Sequence, residues 1–219
     1  MIEELPKLSV RNNLIGGSIP NALGVRFSNN NANVPSDNLL IDNIITGNAG
    51  YGVGMVNFAG AAGMLRNSLT GNRIYANGGI EIDIGGNGGE VNGVSANDPG
   101  DADLGPNNVQ NFPVLSPVLV TGSTISIPYM IDSANVPYTL EFSFSTLCDA
   151  SGNGPAGQMQ SDPVALTGIP VTGTAMFQLP AVAANGFVTA TATGPDGTSE
   201  FSACRPYAVV DSLLANGFE

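Results

Sequence analysis

The sequence repeats itself at a fixed interval, and that limits what it can fold into. Residues 38–48 and 67–77 align without a gap at an offset of 29. Asn38, Leu40, Asn43, Ile45 and Asn48 fall on Asn67, Leu69, Asn72, Ile74 and Asn77. A looser earlier copy sets Asn12, Leu14 and Gly16 on Asn43, Ile45 and Gly47 at an offset of 31. Each copy is followed by Gly-apolar-x-apolar: Gly24-Val25-Arg26-Phe27, Gly52-Val53-Gly54-Met55 and Gly79-Ile80-Glu81-Ile82. A period of this size marks a stacked repeat, because one copy alone cannot bury its own apolar face.

The spacing inside each copy selects the kind of stack. Apolar residues recur two apart in runs of three or four, which is strand periodicity. Asn and Gly separate the runs, and both accept the left-handed backbone of a tight corner. Strands of successive copies would pair about 4.8 Å apart, and Asn43 with Asn72 and Asn48 with Asn77 would form amide ladders. This predicts a parallel β-helix of about three coils. A leucine-rich repeat would need a fixed Leu spacing that is absent, and a β-sandwich would make the similarity accidental.

Beyond residue 112 the repeat stops. Strand-like runs follow at 114–120, 124–130, 138–145, 164–167, 175–179, 187–193 and 199–203, separated by turns. Seven short strands predict an immunoglobulin-like sandwich. Tyr138, Leu140, Phe142 and Phe144 should face its core, and the threonines of 187–193 should face outward. The expected organisation is all-β: coils and their exit loop over 1–112, with the loop at 84–112, then a sandwich over 113–209 and a tail over 210–219. Cys148 and Cys204 stand at the edges of strand-like runs, so an oxidising compartment would join them in a disulfide. Two buried free thiols are the alternative.

Six basic and 18 acidic residues give a formal charge of −12. Nucleic acid is therefore excluded as a natural partner, since phosphate binding needs a basic patch. No run is long enough for a membrane helix, which argues against membrane insertion. The start, MIEELPKLSV, has neither the basic nor the apolar region of an export signal. It reads as part of a longer chain with coils upstream.

The exit loop is rich in oxygen donors: Asp83, Glu90, Asn92, Asn97, Asp98, Asp101, Asp103 and Asn107. Calcium takes six to eight such oxygens, so Asp83, Asp98, Asp101 and Asp103 are the candidate metal ligands. The pattern departs from an EF-hand, and Gly85–Glu90 matches a Gly-rich calcium repeat only once. Asx-turns would explain the same residues without metal, and no cofactor is required. The absence of His removes His-based triads and zinc sites. Glu81 and Asp83, two apart and about 7 Å in separation on a strand, match an inverting glycosidase pair in spacing alone. Such pairs are more often a cap or a solvated face, so no catalytic residue is assigned.

The runs NRIYANGGIEIDIGG, NDPGDADLGPNNVQNFPVL, LCDASGNG and GFVTATATGPDGTSEFSAC resemble the last coil, exit loop and Ig-like module of secreted bacterial right-handed parallel β-helix repeat proteins, many of them adhesin-like or autotransporter-like. The tail, DSLLANGFE, resembles the endings of some exported proteobacterial proteins. The resemblance implies a non-enzymatic structural or adhesin-like protein, secreted or at the bacterial cell surface, with a glycan or host-surface ligand. Carbohydrate binding or polysaccharide processing by the coils is the second expectation. Binding would require exposed aromatics, and the coils offer Phe27, Tyr51, Phe58 and Tyr75. A bare strand edge at the first coil, near Leu8-Ser9-Val10, would also invite self-association.

Overall fold

A computed structural model describes residues 7–29, 34–57, 64–85, 93–134, 137–178 and 185–209. Each coil folds as three short strands separated by corners. The first rung holds β1 (Ser9–Arg11), β2 (Leu14–Gly16) and β3 (Val25–Ser28). The second holds β4 (Leu39–Ile41), β5 (Ile44–Thr46) and β6 (Val53–Val56). The third holds β7 (Ser68–Thr70), β8 (Arg73–Tyr75) and β9 (Ile82–Ile84). Equivalent strands pair in parallel as β1-β4-β7, β2-β5-β8 and β3-β6-β9. Three parallel three-stranded sheets fit a short β-helix.

Between the second and third rungs two sheets keep the register read from the sequence, with Leu39 beside Ser68 and Ile44 beside Arg73, but in the third Val53 pairs with Ile82 and not with Ile80. Between the first and second rungs it differs by one residue. Leu14 pairs with Ile44 and Ile15 with Ile45, an offset of 30 rather than 31. A one-residue slip exchanges the two faces of a strand. Ile15 therefore packs on the core and Leu14 is 65% exposed. The corners align as well: Asn12, Asp42 and Gly71 occupy one left-handed corner, and Gly17, Gly47 and Ala76 the next. Asp and Ala at corner positions show that the requirement is on the backbone, which Gly meets without strain. Gly24 is different: a Cβ there would collide with the Gly52 carbonyl of the rung above, so two backbones touch.

Inside the coils, Leu40, Ile45, Val53, Met55, Leu69, Ile74, Ile82 and Ile84 form one buried cluster. Val109 and Phe201, from outside the repeat, belong to the same cluster and close its upper end.

The remainder forms two antiparallel sheets around a second core. In one, β10 (Val114–Leu115) and β11 (Leu119–Thr121) share one edge of β12 (Thr124–Met130), whose other edge pairs with β15 (Thr172–Gln178). In the other, β13 (Tyr138–Ser145) lies between β14 (Val164–Ile169) and β16 (Asn185–Gly194). Two strands, β17 (Gly197–Thr198) and β18 (Arg205–Ala208), share the far edge of β16. Tyr138, Leu140, Phe142 and Phe144 face this core as expected, with Ile125, Ile127, Val188, Ala190 and Tyr207.

Three strand-level expectations fail here. The run 114–120 is broken, with β10 ending at Leu115 and β11 starting at Leu119. Residues 199–203 are not a strand, although 199–202 are buried. The hydroxyls of Ser199 and Ser202 accept from the amides of Ala192 and Ala190, so side chains replace part of the ladder and the strand resumes only at Arg205. The threonine face of β16 is also not outward: Thr189 is 0% and Thr191 4% exposed. The third rung covers it, and Leu69, Asn72, Ile74, Ile82, Glu141, Ser143, Thr191 and Phe201 surround one small space there.

Cys148, in the loop after β13, is bonded to Cys204, just before β18. The bridge ties that loop to the last strand and closes a separation of 56 residues.

Candidate functional site at the junction of coils and sandwich

A stacked parallel strand leaves half of its N–H and C=O groups facing the next rung, and the third rung has none above it. Buried groups of this kind require partners. The Asn ladders answer part of the need. Asn43 donates through its side chain to the Asn72 Oδ1 at 2.9 Å and Asn48 to the Asn77 Oδ1 at 2.8 Å. Asn38 and Asn67 form a third pair at 2.8 Å, and Asn29 and Asn57 a fourth at 2.5 Å.

Above the third rung, individual residues take over. Asn107, in the exit loop, accepts from the Asn67 amide at 3.0 Å and donates to the Asn67 carbonyl at 2.8 Å, so it stands where the next Asn of that ladder would be, above Asn38 and Asn67. The Thr198 hydroxyl accepts from the Leu69 amide at 2.9 Å. Asn67 also forms a parallel bridge with Gly197, so the edge of the sandwich continues the first sheet.

Backbone carbonyls of Asp196 and Pro155 receive Arg66 N–H and Ala76 N–H, and three glutamates supply further acceptors. Glu141, on β13, receives the Gly71 amide on both carboxylate oxygens at 3.0 Å. Glu200 receives Ile84 N–H at 2.7 Å and Ser95 N–H at 2.9 Å. Glu81 turns back to receive both the backbone and side-chain N–H groups of Asn77, at 3.2 and 2.5 Å. Exposure is 0% for Glu81, 2% for Glu200 and 6% for Glu141. Burial pushes the carboxyls of Glu81 and Glu200 up to about 8 and that of Glu141 up to about 7, against the opposing pull of the N–H donors. The nearby charges of Asp149, Asp83 and Asp42 raise Glu81, Glu200 and Glu141 in that order.

Beside the junction lies a cleft of about 320 Å³, lined by Asp42, Asn43, Ile44, Gly71, Arg73, Asp162 and Pro163. Arg73 spans it. Its Nη2 donates to the Met159 carbonyl at 3.1 Å, its Nη1 lies 3.7 Å from Asp162, and its guanidinium sits 5.8 Å from the Tyr75 ring centre.

The candidate metal ligands are placed differently from a cation cage. Asp98 accepts from Ala102 N–H and Asp101 accepts from Gln110, Asn111 and Ser133, so both stabilise their own loop. Burial and the charges of Asp98 and Asp101 push the Asp103 carboxyl up to about 6. Asp83 lies on β9 and accepts from Gly93 N–H at 3.1 Å. Among the described residues no group of three or more acidic, Cys or His side chains could hold a metal ion. Glu90, Asn92, the Gly85–Glu90 run beyond Gly85, Phe58 and the tail lie outside the described residues. Phe27 and Tyr51 are buried, with the Tyr51 ring against Gly54, so they form no exposed aromatic platform.

Sequence reasoning missed Glu141, Glu200 and Thr198, and read Asn107 only as an oxygen donor of the exit loop. The signal was present in Glu141: a lone carboxylate in a strand of Tyr, Leu, Phe, Ser and Thr. It reads as solvated until the opposite face is known to be covered.

No protein-family model and no curated protein sequence matches the chain. Among the described residues no helix is long and apolar enough to cross a membrane.

Proposed function

We propose that this chain is a non-enzymatic, extracellular, adhesin-like structural protein, a short right-handed β-helix closed by an Ig-like sandwich. One observation carries the reading: Glu81, Glu141 and Glu200, the buried carboxylates of the junction, are all bound to the backbone or side-chain amides of the last rung. Glu141 and Glu200 hold the two units together, Glu81 braces its own rung, and none of the three offers a free acid–base pair to a substrate. The disulfide supports an oxidising location. The sheet partners, β12 with β15 and β14-β13-β16 with β18, support an Ig-like sandwich.

The cleft favours a second reading, glycan binding, because Arg73, Asp42 and Asp162 offer both donors and acceptors to hydroxyl groups. A glycan array run beside a reducing-sugar assay tests both. The adhesin-like reading expects no sugar release from any polysaccharide, and turnover of one would overthrow it. Array binding that disappears in Arg73→Ala would place the ligand in the cleft.

A further inference from the structure

The sandwich has one long edge that nothing blunts. Of its edge strands, β10, β11 and β17 are two or three residues long, and β18 carries Arg205 and Pro206. β14 is irregular, with a register shift against β13. β15 runs seven residues in unbroken register with β12, and among the described residues nothing pairs with its other side. Thr172–Gln178 contains no Pro and no charged residue, the devices that usually keep an edge from pairing.

Ladder alternation fixes which groups that side presents. Ile131 N–H bonds the Val171 carbonyl, so 131 and 171 are a hydrogen-bonded pair at the end of the β12–β15 ladder. Such pairs recur at every second residue. Tyr129–Gly173, Ile127–Ala175 and Ile125–Phe177 are therefore bonded, and Pro128, which has no N–H, falls opposite Thr174 in a pair that is not. The N–H and C=O groups of Thr172, Thr174, Met176 and Gln178 turn away from β12 toward the free side. Their side chains lie on the outer face of the sheet, where Met176 is 65% exposed.

Charge selects the occupant. The chain carries a formal charge of −12, yet no charged residue occurs from 104 to 131 or from 163 to 195. Every strand of this sheet is therefore uncharged, and a second acidic copy meets its smallest repulsion here. The edge also complements itself. Antiparallel pairing centred on Ala175 sets Thr174 against Met176 of the second copy and Thr172 against its Gln178. Every outward N–H and C=O of the strand is then matched.

We propose that two copies of this chain join β15 to β15 across a two-fold axis, so that the two β12–β15 layers become one continuous sheet. The contact is isologous and closes at the dimer. It sets Met176 beside Thr174 of the second copy and gives strand partners to backbone groups that otherwise face water. It requires neither adhesion nor glycan binding.

Sedimentation equilibrium of the purified full chain tests this, together with hydrogen exchange at low and high protein concentration. We expect monomer and dimer with no larger species, and association that tightens as salt screens the two acidic copies. The Thr174 and Met176 amides should exchange more slowly as concentration rises. Met176→Lys and Thr174→Lys each place a charge on the edge at an exposed position and should weaken association at least about tenfold. Leu119→Lys alters the outer face of the same sheet two strands away and should leave association unchanged. A chain that stays monomeric at high concentration overturns the proposal, as does a dimer indifferent to both edge variants. Equal loss of the dimer in Leu119→Lys would put the contact on the face of the sheet and overturn it too.

Discussion

Raising the pH from 5 to 8 should loosen the junction between coils and sandwich. Glu81 and Glu200 are held up to about 8 and Glu141 to about 7, against an ordinary value near 4.5, with burial as the first cause in each. A carboxyl raised on folding binds more protons in the native state than in the unfolded one throughout that window. Its contribution is complete below about pH 4.5 and is lost as the pH climbs through the folded value. A tenfold difference in proton affinity between the folded and unfolded states is worth about 1.4 kcal/mol. If each of the three sites loses only one such tenfold factor between pH 5 and 8, less than its raised value allows, the loss is about 4 kcal/mol. At about 2–4 °C per kcal/mol for a chain of this size, the Tm falls by about 8–16 °C.

The assay is thermal unfolding by circular dichroism at constant ionic strength, with the disulfide intact. Ordinary carboxylates are already charged above pH 6, so the decline between pH 6 and 8 isolates the buried ones. Glu200→Gln removes one titration while keeping an acceptor for Ile84 N–H, and it should flatten the profile by about a third. A Tm that is level or rises from pH 5 to 8 would refute the reasoning. A decline unchanged in Glu200→Gln would refute the assignment of Glu200.

Three further outcomes follow from the packing. Replacing Cys148 and Cys204 together by Ala should cost up to about 4 kcal/mol, from a closed separation of 56 residues, read as a lower denaturation midpoint. Asn72→Ala should cost about 2–3 kcal/mol in the same measurement, because it strands the Asn43 amide and the Leu40 carbonyl in a buried ladder. Chelator should leave the Tm unchanged, since Asp98 and Asp101 bond their own loop; a fall in Tm would show a cation holding that loop.

Local spacing made the coils legible. Leu40, Asn43 and Ile45 stand at the same positions as Leu69, Asn72 and Ile74, and the distance between copies is the stacking register. The first rung misled because Asn12 and Asn13 are adjacent, and aligning the wrong one moves every side chain to the opposite face. The alternation of 138–145 likewise exposed one core. What stayed hidden was the surface where the units meet. Thr189 and Thr191 have the pattern of a solvated face, and only the third rung, more than a hundred residues earlier, removes their solvent. In the acidic loop, composition alone left a cation site and Asx-turns both open, and the oxygens of Asp98 and Asp101 engage neighbouring loop amides and hydroxyls.

The third rung meets individually placed partners in Asn107, Thr198, Glu141 and Glu200, whereas the first and second meet each other through a plain repeating register. The molecule therefore has one variable dimension and one fixed one. Whole turns of chain could be spliced between the first and second rungs, or removed there, without disturbing anything at the sealed end. A single inserted residue just below the seal would misalign every acceptor at once. Descendants of this fold should differ freely in length and hardly at all in the way they are finished.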